Sequence, residues 1–135
     1  MAKILIVEDD SSLADLYQTE IETRGHQVIL AKNGVDGLTQ AQEKQPSLIL
    51  LDIMLPKMNG LDVLSSLKAQ EITKKIPVLV LTNFGDDENV NKALAGGAEE
   101  FILKYKIVPS EVVDKIESVL GQSLAKGVTL TTDVS

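Results

Sequence analysis

The segment from Ser47 to Val63, SLILLDIMLPKMNGLDV, carries the pattern that decides the fold. It opens with a run of aliphatic residues, stops at a single aspartate, Asp52, and continues into a stretch that holds Pro56 and Gly60. A continuous aliphatic run, rather than an alternation of apolar and polar residues, is typical of a strand in a parallel sheet that helices cover on both faces. Because an unpaired charge is costly to bury, Asp52 is expected where the strand ends and meets water.

Similar aliphatic runs recur along the chain, at KILIV, QVILA, PVLVL and EFILK. Each is long enough for a strand and too short for a buried helix, and segments with helical spacing of apolar residues lie between them. Strand and helix therefore alternate five times, which predicts an α/β fold, a three-layer doubly wound (βα)5 sandwich. The expected sheet is parallel and flavodoxin-like, with the strand order 2-1-3-4-5.

Four of the predicted helices have an apolar stripe that can pack on the sheet. The stripes are Leu13, Leu16, Tyr17 and Ile21; Leu61, Leu64 and Leu67; Val90, Ala93 and Leu94; and Val112, Ile116, Val119 and Leu120. The helix expected from about Asn33 to Lys44 is weaker, because Gly37 lowers its propensity. Gly25 and the pair at 96–97 are expected to end helices, and Pro109 to begin the last one.

The chain of 135 residues fits one domain, predicted at residues 1–121. Residues 122–135, QSLAKGVTLTTDVS, show no helical period and are expected to form a flexible tail. No effector domain is apparent after Leu120, so the chain is expected to be either a stand-alone protein or a piece of a larger one.

The overall composition excludes several classes of function. A formal charge of −7 argues against direct contact with nucleic acid, which depends on neutralising phosphates. The absence of cysteine excludes disulfides and cysteine metal sites. The N-terminus, MAKILIVEDD, has neither the length of a membrane span nor a cleavage pattern, so a cytoplasmic location is expected.

Polar side chains follow four of the five predicted strands. Glu8, Asp9 and Asp10 follow the first strand, and Asp52 follows the third. Thr82 lies at the end of the fourth strand and Lys104 at the end of the fifth. In open parallel sheets, ligands bind beyond the carboxyl ends of the strands, so these side chains should meet at one rim. Taken singly, each has an ordinary explanation as a solvated strand end, and Asp10 is expected to cap the helix that follows.

Three carboxylates at one rim repel one another, so a cation must accompany them if all are to stay ionised. At about 4 Å each pair costs roughly 4 kcal/mol at an effective dielectric near 20. With oxygen ligands alone on offer, Mg²⁺ suits such a site better than zinc. Mg²⁺ beside a carboxylate, an ammonium group and a hydroxyl matches what transfer of a phosphoryl group requires, with Asp52 as the attacking group.

Four motifs together resemble the receiver domain of two-component response regulators, over roughly Lys3 to Leu120. They are KILIVEDD, LILLDIMLPKMNGLDV, IPVLVLTN and GGAEEFILK. The resemblance implies a phosphorylated Asp52, a Mg²⁺ pocket of Glu8 and Asp9, and a further metal ligand in the backbone carbonyl of Met54. It also implies that Thr82 and Lys104 contact the phosphoryl oxygens. Phe101 falls where the family has a switch aromatic, although a core role is an equal alternative.

The sequence departs from the family pattern at several positions. Tyr105 follows Lys104 where the family usually has proline, so a cis peptide is not expected there. Asn83 replaces a small residue. Met54 and Phe84 are bulky, and we expect them to slow hydrolysis of the acyl phosphate by crowding the attacking water.

By resemblance, the phosphoryl group comes from a histidine kinase or a histidine phosphotransfer protein, and the face formed by the fourth helix, fifth strand and fifth helix changes its affinity for a target protein. The chain would then turn over no external substrate. The alternative is a degenerate receiver that binds a partner constitutively. Other sites fit less well. EDDSS lacks the glycines of a phosphate-binding loop, and Met54 stands where a haloacid-type phosphatase needs a second carboxylate. His26, the one histidine, is expected to be exposed, which argues against Ser/His catalysis and a histidine metal site.

Overall fold

A computed structural model describes the backbone of residues 2–83 and 85–131, and side chains up to residue 121. Its strands are β1 (Lys3–Val7), β2 (Gln27–Ala31), β3 (Leu48–Leu51), β4 (Val78–Thr82) and β5 (Glu100–Leu103). Its helices are α1 (Ser11–Thr23), α2 (Gly34–Lys44), α3 (Gly60–Ala69), α4 (Asp87–Ala95) and α5 (Pro109–Thr131). A short 3-10 helix, Lys104–Lys106, lies between β5 and α5.

The five strands form one parallel sheet of order β2-β1-β3-β4-β5, as the sequence predicts. The central strands β3 and β4 are buried along their whole length, which explains their continuous aliphatic sequences. Side chains that alternate along each strand feed two separate cores. One core lies beneath α2, α3 and α4, and the other beneath α1 and α5, which confirms the three-layer sandwich.

The predicted helix boundaries agree with the backbone geometry. Asp10 caps α1, since its carboxylate accepts a hydrogen bond from the Leu13 N–H at 3.1 Å. Gly25 and Gly97 follow α1 and α4 with φ of +91° and +105°, a conformation that glycine adopts without strain. Pro109 is the first residue of α5.

Helix α5 extends further along the chain than the sequence predicted. The helix runs through Thr131, so the backbone of residues 122–131 is helical. Extending an existing helix adds one hydrogen bond for each residue fixed, which is far easier than starting one, and a weak apolar pattern does not prevent it. The division of the chain at residue 121 stays a prediction, and residues 132–135 of the expected tail lie outside the described residues.

Three side chains are placed differently from the expectation. Leu16 and Leu94 are 55% and 48% exposed, because their helices turn the adjacent apolar residues, Tyr17 and Ala93, toward the sheet instead. The side chain of His26 is only 12% exposed. Its Nδ1 accepts a hydrogen bond from the Ala2 N–H, and its Nε2 lies 3.0 Å from Glu117 Oε2, so it fastens the start of β1 to α5.

In the described part of the chain, no helix combines the length and apolar character that crossing a bilayer requires.

Candidate functional site

The polar residues that follow β1, β3, β4 and β5 meet at the carboxyl edge of the sheet. The register pairs the ends of the strands, since Val7 lies opposite Leu51 and Thr82 opposite Leu103. Together with Asp10, Met54 and Asn83, the predicted residues Glu8, Asp9, Asp52, Thr82 and Lys104 line one open cavity of about 370 Å³. The structure therefore brings these five predicted side chains to one place.

The alternation of side chains along β1 and β3 determines the face of the sheet to which the buried carboxylates point. Glu8 and Asp52 come one residue after β1 and β3, and each is two residues beyond a core side chain beneath α1 and α5. Because side chains two apart in a strand share a face, both carboxylates point to that same side. They are almost completely buried, at 4% and 6% exposure, whereas Asp9 is exposed.

Lys104 joins the two buried carboxylates. Its ammonium lies 2.7 Å from Asp52 Oδ2 and 2.6 Å from Glu8 Oε1, and its side chain is only 10% exposed. Burial pulls the pKa of Lys104 down, but the hydrogen bonds to Asp52 and Glu8 outweigh burial, so the pKa is raised and the lysine stays charged. Burial, with help from the nearby Asp52 charge, raises the pKa of Glu8 above its ordinary value.

The carboxylates also have oxygens suited to a metal ion. One carboxylate oxygen each from Glu8, Asp9 and Asp52 lies within 4.8 Å of the others. Oxygen atoms alone at this spacing, two of them buried and one at the surface, fit a hard divalent cation such as Mg²⁺ that keeps part of its water. Acidic groups also cluster without metal, so the fit rests on the burial of Glu8 and Asp52 beside a single lysine.

The loop after β3 is held close to the strand by glycine. A Cβ on Gly60 would stand 2.0 Å from the Asp52 carbonyl oxygen, and the Gly60 N–H donates to the Ile53 carbonyl at 2.7 Å. The Met54 N–H donates to Asp52 Oδ1 at 3.3 Å, which orients the carboxylate. Met54 itself is 54% exposed and lines the cavity, and the role of its carbonyl as a metal ligand stays a prediction.

The remaining predicted residues have distinct surroundings. Thr82 is fully buried at the end of β4. Phe101 is partly buried against the core beneath α2, α3 and α4, so its role as a switch stays a prediction. No cis peptide bond occurs in the described residues, and Tyr105 is 67% exposed. Phe84, the second bulky residue expected near the site, lies outside the described residues.

One residue near the site was missed from the sequence. Tyr17, predicted only as part of the apolar stripe of α1, is 3% exposed, and burial raises its pKa to about 12, with smaller, mutually opposing effects from the charges of Lys104, Glu8 and Asp52. A tyrosine in an apolar stripe carries no sign that charged groups influence it, since that depends on how α1 is seated on the sheet.

Comparison with known proteins agrees with this geometry. The response regulator receiver domain matches residues 4–117 of the chain. The chain is 37% identical over 123 residues to the polar-differentiation response regulator DivK of Brucella anthropi, covering 89% of this chain and 97% of DivK. It is 38% identical over 104 residues to the DNA-binding dual master transcriptional regulator RpaA of Synechocystis sp., covering 77% of this chain but only 43% of RpaA.

Solved structures show the same fold. A CheY-like receiver domain protein from Methanospirillum hungatei superposes with a TM-score of 0.86 at 28% identity, covering 93% of this chain and 98% of the other. The Mn²⁺-bound form of the response regulator Rcp1 superposes with a TM-score of 0.75 at 30% identity, covering 87% and 93%. Sequence, fold and the acidic cavity agree, and the chain belongs to the receiver domain family of two-component response regulators.

Proposed function

We propose that the chain is a phosphorylation switch that accepts a phosphoryl group on Asp52 from a histidine kinase or a histidine phosphotransfer protein. The observation that carries this proposal is the buried Asp52 carboxylate at the floor of an open cavity, 2.7 Å from the Lys104 ammonium. A carboxylate in that position is both held in place and reachable from solvent.

In the transfer step, an oxygen of Asp52 forms a bond to phosphorus while the bond between phosphorus and the donor imidazole nitrogen breaks. The bonding electron pair leaves with the imidazole, which ends neutral after the proton balance is restored by solvent. Lys104 then contacts a phosphoryl oxygen and offsets the charge of about −1.5 to −2 that a phosphoryl group carries. Thr82, at the end of the neighbouring strand, donates its hydroxyl to another phosphoryl oxygen.

Glu8, Asp9 and Asp52, with the Met54 carbonyl, are the residues that would hold Mg²⁺. When bound, the ion supplies charge neutralisation for the transferred group and for the carboxylates. The Mn²⁺-bound structure of Rcp1, a protein of the same fold, supports a divalent ion in this family of sites.

The output of the switch would come from Thr82 and Phe101. Thr82 moves toward the phosphoryl group, Phe101 turns inward, and the face of α4, β5 and α5 changes its affinity for a downstream target protein. Only a differential contact with the two states can drive such a shift, and a full reversal of populations needs roughly 5.5 kcal/mol. We propose that the chain acts in the cytoplasm, binds no nucleic acid directly and turns over no external substrate.

Incubation with Mg²⁺ and acetyl phosphate, followed by intact-mass measurement, tests the proposal. The parent protein is expected to gain one phosphoryl group that chelation of Mg²⁺ and the substitution Asp52→Asn both abolish. A matched control is Asp62→Asn, which makes the same change on the first turn of α3. A parent protein that gains nothing would instead favour a receiver that binds its partner constitutively.

A further inference from the structure

His26 is a nearly buried histidine that the proposed phosphotransfer does not use. It lies between α1 and β2, at the amino edge of the sheet, and the acidic cavity is at the opposite edge. Its side chain is 12% exposed, and it is the one histidine of the chain. Histidine is the side chain whose ordinary titration falls between about pH 5 and pH 8, so its hydrogen bonds decide what a change of pH does at this edge.

Both ring nitrogens of His26 have a partner, and the two partners belong to different parts of the fold. Nδ1 lies 3.0 Å from the backbone nitrogen of Ala2, the residue before β1, and Nε2 lies 3.0 Å from Glu117 Oε2 on α5. The Ala2 carbonyl accepts from the Gln27 N–H of β2 at 2.8 Å. The ring therefore joins the amino end of β1 to the last helix, beside the start of β2.

The partners determine where the ring carries its hydrogen. A backbone N–H can only donate, so Nδ1 must offer a lone pair to Ala2. The hydrogen bond with His26 is the largest influence on the pKa of Glu117 and lowers it, so this carboxylate stays ionised near neutral pH and can only accept. The other neutral tautomer would set two donors against each other at Nδ1 and two acceptors at Nε2. The contacts thus assign a neutral imidazole with its hydrogen on Nε2.

The charged groups around the ring come from α1, α5 and β1. Arg24, after the end of α1, binds the other oxygen of Glu117 at 3.0 Å and Asp114 at 2.7 Å, and Glu20 lies 3.9 Å from the same guanidinium group. On β1, Lys3 directs its ammonium to a carbonyl at the end of α2. Among the described residues, Glu117 is the only charged side chain that pairs with the ring, and it does so at Nε2.

A second proton on the ring can bind only at Nδ1, where the Ala2 N–H already points. Two donors would then face each other and that hydrogen bond is lost, whereas the contact between Nε2–H and Glu117 becomes charge-assisted and stronger. We propose that His26 is an acid-sensitive clasp: the neutral ring ties the amino end of β1 to α5, and protonation releases Ala2 while the ring keeps its contact with α5. The clasp goes beyond the proposed phosphotransfer and does not depend on it.

The first experiment locates the hydrogen on the ring. Because the chain has one histidine, long-range ¹H–¹⁵N NMR correlation identifies both ring nitrogens without ambiguity. At about pH 8, where an ordinary imidazole is neutral, we expect a hydrogen on Nε2 and none on Nδ1. A hydrogen on Nδ1 with a bare Nε2 would overturn the proposal, because Nδ1 could not then accept from Ala2.

The second experiment follows Ala2 as the pH falls from about 8 to about 5. The protein must retain Met1, which intact-mass measurement confirms, so that the Ala2 N–H is a backbone amide. Its proton resonance is expected to move upfield as the hydrogen bond is lost, with the same midpoint as the His26 ring resonances. An Ala2 resonance that stays fixed while the ring titrates would show that protonation releases nothing, against the proposal.

Two variants test whether the change at Ala2 comes from His26. His26→Gln takes up no proton, so its Ala2 resonance should not move over this pH range. A resonance that still moves in this variant with the parent midpoint would identify another group as the cause and overturn the proposal. Should His26→Gln fail to fold, the shared midpoint in the parent protein and the next pair of variants decide the question.

The contact with α5 is tested by a matched pair of substitutions. Glu117→Gln keeps an oxygen that can accept from Nε2–H but removes the negative charge that favours a cationic ring. The ring and the Ala2 resonance should therefore still move together, at a lower pH than in the parent. Glu20→Gln makes the same change on a carboxylate that pairs with Arg24 instead of the ring, and should leave the midpoint unchanged. An equal midpoint in Glu117→Gln and the parent would overturn the contact with α5.

Discussion

Lys104 is the residue on which the charge balance of the site depends. It is the only cation that contacts Glu8 and Asp52 in the described part of the chain, and all three side chains are nearly buried. Removing one partner of a buried ion pair leaves an uncompensated charge, which costs more than the pair itself contributes. The lysine thus stabilises the fold as well as the proposed phosphorylated state.

The substitution Lys104→Met is expected to lower the free energy of unfolding at pH 7 by about 2 kcal/mol, less than for a fully enclosed pair because the cavity is open to water. Mg²⁺ should restore part of the loss, since it supplies positive charge to the same carboxylates. Urea unfolding with and without Mg²⁺ measures both effects. Lys115→Met removes a half-exposed pair with Glu100 and should cost under about 1 kcal/mol, with no response to Mg²⁺.

Met54 is the residue that we expect to limit hydrolysis of the proposed acyl phosphate. Its side chain is 54% exposed and lines the cavity from which we expect water to reach the proposed acyl phosphate. Met54→Asn replaces an apolar barrier with a group that can hold water, so the acyl phosphate should hydrolyse severalfold faster. The lifetime is measured by intact mass after the phosphodonor is removed. An unchanged lifetime would show that Met54 does not control access of water, and Ile72→Asn, an equally exposed change in the turn after α3, is the control.

The residues of the site could be predicted because their positions follow from strand ends. Parallel strands bring their carboxyl ends to one edge, so Glu8, Asp52, Thr82 and Lys104 had to be neighbours. The sequence could not reveal that Lys104 contacts both carboxylates, since this depends on side-chain direction at the end of β5.

At the scale of elements, the loop between β3 and α3 holds a strained residue. Lys57 has φ of +68°, and it is one of two residues other than glycine with positive φ in the described chain. The left-handed conformation costs a residue with a Cβ about 1–2 kcal/mol. The same loop approaches α2 closely, because a Cβ on Gly34 would stand 1.9 Å from the Met58 carbonyl oxygen.

Lys57→Gly should raise the free energy of unfolding by about 0.5–1 kcal/mol, because glycine removes the strain but loses more chain entropy on folding. Chemical denaturation measures the change. Lys75→Gly, in an exposed turn without positive φ, should instead destabilise the protein. A loss of stability in Lys57→Gly would mean that the loop is not strained at this position.

Helix α5 shows where reasoning from elements failed. Its apolar residues up to Val119 predict its packing well, and they are buried as expected. The continuation to Thr131 was missed because the sequence after residue 121 has no apolar period, although an established helix can extend without one. Periodicity reports which face is buried, and it does not report where a helix stops.

At the scale of the whole molecule, polar contacts join the C-terminal end of α1 to α5. Arg24 donates hydrogen bonds to Asp114 and Glu117 on α5 and to the Ser110 carbonyl. The hydrogen bond with His26 lowers the pKa of Glu117, burial opposes this effect, and the hydrogen bond with Arg24 lowers the pKa further. These contacts fasten the last helix to the layer that contains Tyr17.

A carboxylate with a lowered pKa stabilises the folded state above its unfolded pKa, here the ordinary 4.5, and this stability is lost as the pH falls through the folded pKa. Glu117→Gln should therefore lower the free energy of unfolding at pH 7 by about 1 kcal/mol or less. The difference from the parent should shrink as the pH falls below 4.5. Urea unfolding across pH measures it, with the exposed Glu71→Gln as control; a difference that is constant with pH would contradict the role of the ionised carboxylate.

The most direct measurement is to locate the phosphoryl group after reaction with acetyl phosphate and Mg²⁺. Borohydride reduces an acyl phosphate on aspartate to homoserine, and peptide mass spectrometry identifies the position of the change. We predict homoserine at position 52 and at no other acidic residue, with none formed when Mg²⁺ is chelated. Reduction at Glu8 or Asp9 instead, or no reduced residue at all, would contradict the assignment of Asp52 as the phosphorylated residue.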